Sequence, residues 1–486
     1  MNNMNETILQ DLELEASNGR KSNYFQIDFL KAVMIFLVIF DHFVAWTIKS
    51  EIGVALWERI SIPVFLVVMG FNMGLSFKGK EDLSLKELYS WSYFKRKIIR
   101  YIIPFLILYF VSTFIGLFIY RFDFEAMYNT QYSPSHGIIN LFTGIMPFWG
   151  PGNWFLPVIF QSILIMPLLY WAFTKKPVIT LILTFIVEIA MQITVFFFIG
   201  EITSWEEVHY LNVFMNSILF YLSAVGLGMW FSFGHKLTIK RNLFMWIIFP
   251  ISLAYLIAYQ FYGFRFSLYG VPLLRGDYHF IVFPYSAMLV LLAIRFIPQK
   301  SDWRISKSIS LIGKSTYHIL LTQILGYGMI TAWWGTHYGM AAPFNPFDII
   351  DLVALWVIFI GFGILWYKID QQEDLTRRIL YYFNFFIVFV SLLLFSFFIQ
   401  GGWLSSCLMI INIYAIAALI LHNVIKKPIK TRILALWTIF LLMTFIALIL
   451  QVEFFQPNEF WILLLPIGAY LIFAIIYTVF YGLSKE

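Results

Sequence analysis

The sequence predicts an all-α polytopic membrane protein, and three observations carry that expectation. Of 486 residues, 60% are hydrophobic, 20% aromatic and only 12% charged, whereas soluble domains are about half apolar and a quarter charged. The mean hydropathy is +0.80. Apolar runs long enough for a helix to cross a bilayer, about 20 residues each, recur along the chain.

Fourteen such runs are expected as spans, near 29–48, 54–77, 98–120, 154–173, 178–199, 211–233, 243–262, 280–297, 309–333, 349–367, 379–398, 403–424, 433–450 and 460–481. Their connections alternate in sign. Lys78 to Arg100 is strongly basic, and Lys175-Lys176, Lys240-Arg241, Lys300 with Arg304, Arg377-Arg378 and Lys426-Lys427 follow at every second connection. The intervening loops carry Asp123 and Glu125, then Glu201, Glu206 and Glu207, then Asp348, then Glu453 and Glu459. Basic loops lie on the cytoplasmic side, so an even count of spans places both termini there, in the cell membrane. The formal charge of +6 is accordingly read as orientation and contact with anionic membrane lipid, with no nucleic-acid partner expected.

The first residues are polar, show no cleavage-site pattern and are expected to be a cytoplasmic segment over 1–27. The single cysteine, Cys407, excludes an intrachain disulfide, and eight scattered histidines give no metal site. Residues 81–97 mix charged and aromatic side chains and read as an interfacial helix feeding the third span. The run Met146-Pro147-Phe148-Trp149-Gly150-Pro151-Gly152-Asn153-Trp154 makes 144–157 too broken for a helix, so it is expected to fold over the outer face.

Within this frame His42 stands out. It follows Lys31 by eleven residues, an advance of about 1100° and roughly 16 Å on an α-helix, so both project from nearly one face. A titratable ring at membrane depth is a functional-site hypothesis by default. Imidazole acts as a general base toward a hydroxyl or as a nucleophile toward an acyl donor. The bland alternative is a histidine that only bonds a neighbouring helix. Asp41 projects about 100° away and cannot orient the adjacent ring. A partner must come from another span, with Gln161, Glu188, Gln192 and Gln323 as candidates. Arg59 reads by itself as a snorkelling anchor, and Gly70 with Gly74 as a close helix packing step. Lys97 and Arg100, three apart before Pro104, suit a polyphosphate at the inner face, although the positive-inside rule alone explains them.

Taken together these residues resemble the acyltransferase-3 family of integral membrane acyltransferases. The similarity rests on Asp28-Phe29-Leu30-Lys31 followed by His42, on Pro63, Phe65 and Met69-Gly70-Phe71, and on Lys97-Ile98-Ile99-Arg100 before Pro104. It continues in Asn153-Trp154-Phe155-Leu156, 220–228, Gly313-Lys314-Ser315-Thr316-Tyr317-His318 and Tyr367-Lys368-Ile369-Asp370. Lysine stands at 31 and 97 where arginine is usual in such proteins, Met69 where serine is, and Thr322-Gln323 where many relatives have a histidine.

The resemblance implies a ten-helix core over 28–370, with 371–486 as accessory transmembrane helices. It implies O-acyl transfer, usually of acetyl, from cytoplasmic acetyl-CoA to a hydroxyl of a cell-surface or lipid-linked carbohydrate, with no metal. His42 would be catalytic. Lys31, Arg96, Lys97 and Arg100 would hold the donor, and Arg59, Trp149, Asn153 and Trp154 the carbohydrate or glycolipid acceptor. Two other readings fit intramembrane polar residues: a transporter or flippase for a glycan or lipid intermediate, and a non-catalytic assembly partner. The accessory helices read either as a lipid-facing module or as a dimerisation module, which would make a homo-oligomer.

Overall fold

A computed structural model describes residues 24–44, 46–79, 81–120, 122–123, 152–199, 216–235, 237, 242–265, 267–268, 271–272, 278–301, 303–338 and 349–398. Among them the chain is helical, apart from a two-residue antiparallel pairing of Ser267–Leu268 with Val271–Pro272. The long helices are α1 (Phe25–Phe43), α2 (Ser61–Phe77), α3 (Ile103–Ile119), α4 (Phe155–Lys175), α5 (Pro177–Ile199) and α6 (Leu222–Ser232). They continue as α7 (Met245–Tyr262), α8 (Phe283–Phe296), α9 (Ser306–Tyr338), α10 (Ile349–Asp370) and α11 (Leu375–Phe398). Five helical stretches among the described residues are long and apolar enough to cross a membrane. The runs expected at 403–424, 433–450 and 460–481 lie outside the described residues.

Several boundaries differ from the hydropathy reading. The first run breaks: α1 ends at Phe43, Val44 is extended, and a separate short helix, Trp46–Glu51, follows. His42 therefore lies in the last turn of α1, not in mid-helix. The break lets Lys49 fold back so that its Nζ meets both the carbonyl and Oδ1 of Asp41, each at 2.6 Å. A hydropathy window averages over such a corner and cannot see it. The sixth helix opens as a 3-10 turn, Ile218–Tyr221, behind Ser217, whose hydroxyl accepts from the Leu219 amide. Helix α4 starts at Phe155, so Pro157 sits in its first turn, where a missing N–H costs no hydrogen bond.

The interfacial segment resolves into two short helices, Leu85–Leu88 and Trp91–Lys97. Ser84 and Glu87 form a reciprocal capping box at the first. The Ser84 amide and hydroxyl both donate to the Glu87 carboxylate at 2.7 Å, which holds that carboxyl below its usual range. Trp91 is 71% exposed at the start of the second, as suits a membrane-surface tryptophan. Entry to α3 passes through a π-helical turn, Ile98–Ile102.

The centre of the bundle is close-packed backbone. A side chain on Gly70 of α2 would strike the Val225 carbonyl of α6, and one on Gly228 would strike the Val67 carbonyl of α2. Glycines facing carbonyls in this reciprocal way bring the two helix backbones into contact. Helix α1 packs against α2, α8, α9 and α10. Its first turn lies on α9 because Gly313 leaves room for the Asp28 carbonyl. His318 Nε2 meets Asp370 Oδ2 at 2.6 Å and the Tyr382 hydroxyl donates to Asp370 Oδ1, which ties α9, α10 and α11 together. Helix α11 also lays Phe385 and Phe389 against Phe362 of α10.

Candidate functional site

The site grows from the last turn of α1. Asp41 is drawn to one side by Lys49 and by Arg59, whose Nε stands 3.6 Å from Asp41 Oδ1. Arg59 Nε is also 3.8 Å from Glu58, a carboxylate with no exposed surface. Arg59 thus points into a buried ion cluster and does not snorkel outward. With Asp41 held there, His42 about 100° round the helix turns toward α9. Its Nδ1 meets the side-chain amide of Gln323. The neighbouring Phe43 seals the joint, stacked on Phe359 and edge-on to Tyr327.

Of the four candidate partners for the ring, Gln323 is the one that reaches it. Gln161 instead holds backbone near the start of α6, donating to the Asn216 carbonyl at 3.2 Å and accepting from the Ile218 amide at 2.9 Å. Glu188 accepts from both the amide and the hydroxyl of Ser223, at 3.0 and 2.6 Å. Gln192 lies one turn beyond Glu188 on α5.

The Cε1–Nε2 edge of the imidazole faces Gly152. This residue has φ of 90°, a conformation that L side chains rarely adopt. A methyl group there would stand 3.2 Å from His42 Cε1, 3.9 Å from Nε2 and 3.4 Å from Leu320. The backbone of Gly152 is therefore a wall of the site. Gly152→Ala is expected to cost about 1–2 kcal/mol of backbone strain and to crowd the ring. A melting point a few degrees lower, with at least about tenfold slower turnover, would show both effects. Unchanged turnover would remove Gly152 from the site.

Asn153 follows, 1% exposed, and neither of its side-chain amide atoms has a hydrogen-bond partner among the described residues. Leaving such groups unmet costs about 1–3 kcal/mol, so the arrangement needs a reason other than stability. Trp154 is half-buried between Tyr221 and Tyr278, with ring centroids 5.4 and 6.1 Å away. Trp149 lies outside the described residues.

A second group of charges gathers toward the other end of α1. Lys31 pairs with Asp28 of its own helix at 2.9 Å, an i,i+3 contact that its spacing allowed. Arg100 and Tyr101 lie within electrostatic reach of Lys31. Arg100 sits over the Tyr101 ring at 5.3 Å, and Lys97 Nζ is 5.7 Å from the same centroid. The Tyr317 hydroxyl of α9 bonds the Tyr101 carbonyl at 2.7 Å. The π-helical turn brings this about: it widens the helix where Arg100 and Tyr101 sit and frees carbonyls for outside donors. Lysine–arginine spacing did not reveal Tyr101 as the centre of the group. Lys31, Lys97 and Arg100 therefore come together, while Arg96 is exposed on the preceding helix.

Among the described residues no group of three histidine, cysteine, aspartate or glutamate side chains is placed to hold a metal. A family model described as an acyltransferase domain (Acyl_transf_3) matches residues 24–367. No curated protein and no solved structure matches the chain.

Proposed function

The chain belongs to the acyltransferase-3 family, a membrane acyltransferase with an acyl donor and an acceptor, and from that premise we propose O-acetyl transfer from cytoplasmic acetyl-CoA to a carbohydrate hydroxyl. The observation that carries this reading is the layout of α1. Its inner half brings Lys31 beside Arg100 and Tyr101, and its last turn carries an imidazole gripped at Nδ1 by Gln323 and walled by Gly152. The two sites are about 16 Å apart along the helix.

Lys31, Lys97 and Arg100 would hold the phosphates of coenzyme A, with Arg96 at the rim. Guanidinium and ammonium groups bind phosphate oxygens with charge-assisted hydrogen bonds. The pantetheine arm would follow α1 and present the thioester near His42. In one route His42 takes the proton of the acceptor hydroxyl as that oxygen attacks the thioester carbonyl. The carbon–sulfur bond breaks, and the departing thiolate receives the proton. In the other, His42 is acylated first and passes the acyl group on. An acyl-protein trapped without acceptor would select the second. Asn153 and Trp154, with Trp149 of the preceding segment, would contact the acceptor. Arg59 would serve it at one remove, through the Asp41 cluster that turns His42. The alternating loop charges support a multi-pass protein of the cell membrane with both termini cytoplasmic.

Arg100→Ala is expected to raise the KM for acetyl-CoA at least about tenfold, with the acceptor KM unchanged, in steady-state assays of the purified protein. Equal shifts in both would mean that Arg100 only supports the fold. A wild-type protein that neither binds coenzyme A nor releases thiol from acetyl-CoA would end the acyltransferase mechanism proposed here.

A further inference from the structure

Helix α4 is interrupted in its middle. Pro167 lies inside it. A proline has no N–H to give to the carbonyl four residues back, and its ring pushes that carbonyl aside. The carbonyl concerned is that of Ile163, and it is met from outside. The Tyr93 hydroxyl, on the interfacial helix Trp91–Lys97, donates to it at 2.9 Å. The Tyr89 hydroxyl donates to the next carbonyl, that of Leu164. Tyr93 is buried, although the helix that carries it lies at the membrane surface.

The two halves of α4 are held differently. The half that ends at Lys175 is anchored by its own side chains. The Tyr170 hydroxyl donates to the Phe77 carbonyl at the end of α2 at 2.9 Å. Tyr170 and Phe173 stack on Phe233, with centroids 5.5 and 6.2 Å away. The other half runs from the break to the wall of the His42 site. The Phe155 amide donates to the Gly152 carbonyl at 3.1 Å and the Leu156 amide to the Asn153 carbonyl at 3.0 Å, so Gly152 and Asn153 move with the first turn of α4. They form the tip of a lever that pivots at Ile163–Pro167 and is about 16 Å long. A tilt of about 4° at the pivot displaces Gly152 by about 1 Å, and a misplacement of that size costs as much as about 10²-fold in rate.

We propose that Tyr93 is a positioning residue for acyl transfer: its hydroxyl fills the carbonyl that Pro167 frees, fixes the half of α4 that leads to the site, and so holds Gly152 against His42. The inference rests on the acyl-transfer reading and adds a strut from the membrane surface to the reaction centre. Tyr93 also borders the donor group, since Lys97 Nζ stands 5.7 Å from its ring centroid. Phenylalanine keeps that ring and removes the hydroxyl alone, which separates the two roles.

The test uses the purified full-length protein in nanodiscs. Coenzyme A binding is measured by calorimetry, turnover as thiol released from acetyl-CoA, and exposure of the imidazole as the rate at which diethyl pyrocarbonate modifies His42, read by peptide mass spectrometry. Tyr93→Phe should bind coenzyme A within about twofold of the wild type, release thiol at least about tenfold more slowly, and be modified at His42 at least about threefold faster. In a Pro167→Ala background the alanine supplies the missing N–H, so adding Tyr93→Phe should change thiol release and His42 modification by less than about threefold. If Tyr93→Phe alone does not fold, the comparison of Pro167→Ala with and without it decides in the same way. The proposal is overturned if Tyr93→Phe leaves turnover and His42 modification as in the wild type. It is also overturned if coenzyme A binding falls in step with turnover, or if the hydroxyl matters equally in both backgrounds. Failure of the acyl-transfer reading is separately visible, as a wild-type protein that neither binds coenzyme A nor releases thiol.

Discussion

His42→Ala is expected to lower acyl transfer by about 10³-fold or more while coenzyme A still binds with wild-type affinity. The size follows from what the ring supplies: general acid–base work alone is worth about 10²–10⁴-fold, and a covalent acyl carrier cannot be replaced at all. The fold should survive. Within the site the ring makes one side-chain hydrogen bond, to Gln323, and the helix around it is held by Asp41 with Lys49 and by Phe43 on Phe359. Loss of that bond costs about 0.5–1.5 kcal/mol, which lowers the melting temperature by a few degrees without unfolding the protein. Turnover, calorimetry with coenzyme A and thermal unfolding on one preparation decide the matter. Retained turnover would take the imidazole out of the mechanism.

The second large effect is at Gln323. Gln323→Leu should reduce kcat by about 10²-fold with the acetyl-CoA KM unchanged, because acid–base work worth about 10²–10⁴-fold needs the ring held in one orientation. An amide is suited to this place because its two ends are opposite in kind. With its NH2 toward Nδ1, as the structure has it, His42 carries its proton on Nε2 and donates. With the amide turned by 180°, its oxygen accepts from Nδ1–H and Nε2 becomes the basic atom. The same side chain can therefore serve proton uptake and proton return. Leucine fills similar space but fixes neither tautomer. Gln323→His, whose ring nitrogens can also donate to or accept from Nδ1, should recover activity to within about tenfold. If leucine and histidine variants lose activity equally while their melting temperatures fall together, Gln323 acts through packing alone.

Some of this was legible before any fold was known. An imidazole eleven residues from a lysine on a helix, and a cationic entry to the third span, are local patterns that survive folding. Spacing put Lys97 and Arg100 on one helix face, but that Lys31 of another helix joins them at Tyr101, and that Arg96 does not, depends on packing. Other parts were hidden for physical reasons. Four polar side chains were equal candidates to orient His42, because hydropathy does not say which helices touch. Arg59 resembled a surface anchor because a single charge at a span end usually is one. Its burial beside Asp41 and Glu58 depends on the corner after Phe43, which averaging over the first apolar run erased. Gly152 looked like one more turn glycine until its backbone was found against the ring.

By itself the sequence determined that this chain is a many-helix membrane protein with an imidazole inside its first apolar run, eleven residues from a lysine. Composition, run length and helical period are short-range properties, and they decide those things. Tertiary structure decided which side chain holds that imidazole, which backbone covers it, and which helix backbones touch at Gly70 and Gly228. The physical reason is distance along the chain: His42 and Gln323 are 281 positions apart, and only packing of α1 on α9 brings them into hydrogen-bond contact.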